Sequence, residues 1–143
     1  MSNIVLTLVN RLAERPKTLF LIDSLGAFLT ALLLMAILRP YNAYFGMPTS
    51  AFTYLSAVAV CFCIYSTTCF LCLNGSWTPF ILIIFTANLL YCVLTISLLI
   101  KYYPTLTIIG LLYFVLEIAI IGALCFVEFK VALKLKQLRT KDQ

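Results

Sequence analysis

The sequence TLTIIGLLYFVLEIAIIGALCFV, residues 105–127, decides what kind of chain this is, because it is apolar throughout except for one acid, Glu117. At a helical rise of 1.5 Å per residue it reaches roughly 34 Å, enough to cross a bilayer core of about 30 Å. Glu117 falls near the middle of that length, where an ionised side chain costs about 3 kcal/mol or more. It therefore needs a partner, and that need constrains how the other helices pack.

Three more stretches have the same character. Residues 18–39 contain Asp23 as their only internal acid, and residues 51–73 and 79–100 contain no charge at all. Each is long enough to span as a helix. The expected fold is all-α: an antiparallel bundle of four transmembrane helices over residues 18–128, with spans at 18–39, 51–73, 79–100 and 105–127. A basic tail, 129–143, follows. Only 10% of the 143 residues are charged, against about a quarter in globular domains. A separate water-soluble core is excluded.

The segment before the first span, residues 1–17, carries NIVLTLVNRLAER, which sets Ile4, Val5, Leu8, Val9 and Leu12 on one helical face until Pro16 breaks the pattern. Its positive charge follows the apolar residues instead of preceding them, unlike a signal peptide. It is expected to be a short amphipathic helix lying on the membrane face.

The net charge of +5 is distributed by side. Arg11, Arg15, Lys17, Lys130, Lys134, Lys136, Arg139 and Lys141 flank the termini, whereas only Arg39 and Lys101 lie in the opposite loops. The bias puts both termini in the cytoplasm, and the basic tail is read as a partner for anionic headgroups, not for nucleic acid. With Trp77, the turn NGSWTP then falls on the inner side, so its Asn74-Gly75-Ser76 acceptor sequence is discounted as a glycosylation site.

Histidine is absent, which removes His-ligated haem, most catalytic zinc sites and His-based acid–base chemistry. No glycine loop for phosphate occurs, and no cofactor or metal is implied. Of the six cysteines, Cys69 and Cys72 form a C-x-x-C, but inside an apolar helix near a reducing compartment. Cys61, Cys63, Cys92 and Cys125 complete the set, and all are read as soft packing residues.

The candidate site residues are Glu117, Asp23, Asn88, Tyr91 and Tyr113. Asn88 lies about eight residues from the inner end of its helix and Glu117 about twelve from the outer end of its own, which puts both near the midplane. Tyr113 shares a helical face with Glu117, and Tyr91 levels with it. Antiparallel neighbours then present an amide and two phenols to one carboxyl group. Asp23, a turn or so inside its helix, is expected to be capped or solvated, with Ser66, Thr67 and Thr68 at the same depth. On the first span Gly26, Ala27, Thr30 and Ala31 place small residues four apart, a spacing that lets backbones approach.

The stretches FLIDSLGAFLTALLL, TANLLYCVL and GLLYFVLEIAIIGAL together are similar to small, uncharacterised four-span proteins of bacterial inner membranes. That resemblance implies a multi-pass protein of the inner membrane and brings no activity with it. The leading functional reading is a non-enzymatic protein that acts through helix packing, as a homo-oligomer or as a subunit beside a partner membrane protein. Glu117 is then a structural lock. The alternative is a proton-coupled small-molecule transporter or channel component using Glu117, with Asp23 as a relay. An enzyme working through its cysteines is the third reading, and the balance leans away from it.

Overall fold

The computed structural model describes residues 3–73, 75 and 77–141, with side chains from residue 7 to residue 138. Asn74 and Ser76 of the discounted acceptor sequence lie outside the described residues, as do the side chains of Ile4, Val5, Arg139 and Lys141. Among the described residues every regular element is a helix: α1 (Asn3–Glu14), α2 (Pro16–Leu33), α3 (Asn42–Phe45), α4 (Thr49–Cys72), α5 (Thr78–Lys101) and α6 (Ile108–Lys141). Proline sets the breaks. Arg15 precedes Pro16 with φ −131°, off the helical region, and α2 restarts with proline in its first turn, where the missing N–H is no loss.

α2 runs on into a π-helical turn, Leu34–Leu38, closed where the Arg39 N–H donates to the Leu34 carbonyl at 2.9 Å. Together they make 23 residues long and apolar enough to cross a bilayer, as are α4, α5 and most of α6. Leu25, Ile64, Leu90 and Leu112 stand 60% or more exposed on their outer faces. Large apolar side chains so displayed belong in lipid, and the chain is a multi-pass membrane protein.

α2 packs along α4, and α5 along α6; α4 and α5 join the two pairs more loosely. Ala31 and Ser56 are buried at the first seam, where the Ser56 hydroxyl donates to the Ala31 carbonyl at 3.3 Å. Of the small residues on α2, Ala31 thus serves close helix approach. Gly26, Ala27 and Thr30 instead line a cavity, and a Cβ on Gly26 would meet nothing within 4 Å.

Two apolar clusters fill the interior. One, at the end carrying the termini (the basic end), holds Leu19 and Phe20 of α2, Cys69 of α4, Ile81 and Ile84 of α5 and Val131 of α6. The other, toward α3 (the far end), holds Leu34, Phe52, Leu55, Tyr91, Leu99 and Phe114. On each long helix a buried polar residue falls in sequence between the two clusters: Asp23, Ser66, Asn88 and Glu128.

α1 does not reserve its apolar face for lipid. Val9, Leu12 and Ala13 are buried in the basic-end cluster against the extension of α6, and Lys134 hydrogen-bonds Asn10. Sequence amphipathicity marks an apolar face; it does not say whether protein or membrane covers it. At the far end α3 is latched to the start of α6. The Thr107 hydroxyl donates to the Tyr44 carbonyl at 2.6 Å, and the Thr105 hydroxyl to the Gly46 carbonyl at 2.9 Å. Gly46 has φ +74°, and a Cβ there would collide with the Thr105 carbonyl. Thr105, Leu106 and Thr107, expected inside the last span, serve this latch, and the helix begins at Ile108.

Candidate functional site

Glu117 sits on α6 facing its neighbours, 8% exposed. The Tyr91 hydroxyl from α5 donates to Glu117 Oε1 at 3.1 Å. Oε2 is buried and has no hydrogen-bond partner among the described residues. Tyr91 is itself held by the ring of Phe62, edge-on at 6.1 Å, and its carbonyl accepts from the Thr95 hydroxyl at 2.9 Å. Tyr113, one turn before Glu117, packs edge-on against Phe45 at 6.3 Å and Phe114 at 5.1 Å.

Asn88 goes elsewhere. Its Nδ2 donates to Asp23 Oδ1 at 2.8 Å and to Glu128 Oε1 at 3.2 Å. The Ser66 hydroxyl donates to the other Asp23 oxygen, Oδ2. The expected Asn88–Glu117 pair is replaced by a four-helix polar junction on α2, α4, α5 and α6, nearer the basic end, with Asn88 about one turn from Tyr91 and Glu128 about three turns from Glu117. Asp23 is not solvated, being 3% exposed, while the expected proximity of Ser66 is what holds it. An amide carries two N–H groups, so one Asn can bridge two carboxyl groups that would otherwise compete for donors.

Glu128 escaped the sequence reading because the last span was closed at Val127 by bilayer length. It is fully buried. The signal was present: eleven residues separate Glu117 from Glu128, and eleven residues make about three helical turns, so both lie on one face.

The two polar levels meet in one cavity of about 210 Å³ between α2 and α6, helices that do not pack closely on each other. All five sequence candidates, Glu117, Asp23, Asn88, Tyr91 and Tyr113, line it. Its rim is apolar and exposed: Leu29 on α2 is 54% exposed, and Leu116 and Ile120 on α6 are each 62% exposed. The cavity therefore opens sideways, toward lipid, with carboxyl groups at its back. Such a site offers hydrogen-bond acceptors and exchangeable protons inside an apolar cleft.

Among the described residues no three Cys, Asp or Glu side chains come together to hold a metal ion. The six cysteines are all free thiols, with Cys69 buried and Cys72 exposed on the outside of α4. No protein-family model, curated protein or solved structure matches the chain.

Proposed function

We propose that this multi-pass membrane protein is a small-molecule transporter or channel component that loads its substrate, in exchange with protons, at Glu117. The observation that carries the reading is the lateral cavity, lined by Glu117 together with Asp23 and Asn88 of the junction, and beside it one buried Glu117 oxygen without a partner among the described residues. A carboxyl group with a free acceptor, an open cleft before it and a second carboxyl group, Asp23, in the same lining is equipped to exchange a proton for a ligand. The Lys and Arg bias supports a cytoplasmic basic end, and a bacterial inner membrane rests on the resemblance of the three quoted stretches alone.

The test needs no substrate. A hydrophobic carbodiimide, dissolved in the bilayer, modifies protonated carboxyl groups that it can reach. In the full chain reconstituted into vesicles, mass spectrometry should find the adduct at Glu117 and find none there in Glu117→Gln. A Glu117 that stays unmodified would reject the open-cleft reading.

A second reading has its own support in the Tyr91–Glu117 hydrogen bond, which ties α5 to α6. There Glu117 locks helix register in a non-enzymatic packing protein, an oligomer or a subunit of a larger complex. Under that reading Glu117→Gln keeps both stability and any pH-driven flux, and Glu117→Leu loosens the fold by roughly 1–2 kcal/mol. Under the transport reading Gln abolishes the flux with stability intact.

A further inference from the structure

The chemistry of the cleft narrows what it can hold. Among the described residues its lining contains no Lys, Arg or His. The Tyr91 hydroxyl is already committed to Glu117 Oε1, and the Asn88 amide to Asp23 and Glu128. At the back wall Glu117 Oε2 is a buried acceptor with no partner among the described residues, and the Tyr113 and Thr30 hydroxyls, which can also accept, line the cleft beside it. Phe62, Tyr91 and Tyr113 add aromatic faces, which attract cations. Apart from the Thr30 hydroxyl the remaining walls are apolar, from Gly26, Ala27 and Leu33 on α2 to Leu116, Ile120 and Leu124 on α6.

An anionic amphiphile would bring its charge against carboxyl groups with no cation in the lining to offset it. A plain hydrocarbon would fill the walls and leave Oε2 unpartnered, a costly state for a buried acceptor. A molecule with an apolar body and a protonated N–H head satisfies both surfaces at once. Because the rim faces lipid, the ligand arrives from the bilayer, where an amphiphile is already concentrated.

We propose that the cleft between α2 and α6 binds a lipophilic amine, its ammonium N–H donating to Glu117 Oε2 and its apolar body lying along the α2 and α6 walls. This rests on the reading of Glu117 as a loading site and specifies the substrate class. The proton that Glu117 gives up on loading passes to the aqueous phase, and charge at the site is balanced by the ammonium group.

The experiment uses the full chain in zwitterionic vesicles and reads the rate of carbodiimide modification at Glu117. Four ten-carbon probes are compared at equal vesicle-bound concentration: decylammonium, decyltrimethylammonium, decanol and decanoate. Decylammonium should slow the modification about tenfold or more, the discrimination that a hydrogen bond to a charged group supports. Decanol and decanoate should leave the rate within about twofold. Decyltrimethylammonium has the same charge without an N–H, so it controls for surface potential and should protect several-fold less.

Equal protection by the two cations, or equal protection by all four probes, overturns the proposal. If Glu117 is modified and decylammonium does not protect it, the substrate class is wrong and the open cleft stands. If Glu117 is unreactive with no probe present, the loading-site reading fails and this proposal with it. Direct binding gives an independent check that does not depend on carbodiimide chemistry: saturable uptake of radiolabelled decylammonium by wild-type vesicles should be lost in Glu117→Gln. Saturable uptake that survives there refutes the contact with Oε2.

Discussion

Replacing Asn88 by Leu tests the junction most directly. The change removes the 2.8 Å bond to Asp23 and the 3.2 Å bond to Glu128, both between helices, while keeping a side chain of similar size. Interhelical hydrogen bonds in membranes average about 0.6 kcal/mol and reach about 1.7, so the two together are worth about 1–3 kcal/mol. Asp23 keeps its bond from Ser66, which argues for the middle of that range rather than its top. Unfolding by dodecyl sulfate in mixed micelles, followed by far-ultraviolet circular dichroism, gives the free-energy difference. Crossing Asn88→Leu with Glu128→Leu should return a coupling energy of about 0.5 kcal/mol or more, since residues sharing a bond do not add. A single variant as stable as wild type, or a cycle in which the two changes simply add, would refute the junction.

Other expectations are simpler to check. Gly46→Ala should cost about 1–2 kcal/mol from the left-handed backbone alone, and more from the collision with Thr105, lowering the midpoint of the same unfolding curve. All six cysteines should titrate as free thiols in denaturant without reductant, and their joint replacement by Ala or Ser should leave a folded protein; a Cys69–Cys72 disulfide would end the packing account. Single cysteines introduced near Trp77 should be shielded from a membrane-impermeant reagent added outside cells, and labelling there would reverse the proposed orientation.

The membrane class of this fold was legible because the bilayer imposes one dimension, and four runs of about twenty apolar residues answer to it. Depth counting also put Tyr91 beside Glu117, and the structure joins them. It failed for Asn88 and Glu128 for a single reason. A length criterion stops a span where hydrocarbon ends, but α6 continues unbroken to Lys141, and burial beside other helices lets an acid sit beyond the counted end. The small residues on α2 were ambiguous in the same way, because a missing side chain permits either helix contact or empty space. Ala31 took the first use and Gly26 the second. Which pairs of helices pack closely depends on the sum of many weak contacts, and no single motif announced that α2 and α6 would stand apart.

The length of α6 has a mechanical side. Its 34 residues extend about 51 Å, so about 20 Å of continuous helix projects past a bilayer core, carrying Lys130, Lys134 and Lys136. Sliding the helix toward the far side by two turns would draw the Lys130 ammonium group into hydrocarbon, where the cost rises toward about 3 kcal/mol at the centre. Sliding it the other way would pull the backbone latch at Thr105 and Thr107 off α3. The projecting rod therefore acts as a depth stop, and what it holds at a set height is Glu117, mounted on the same helix.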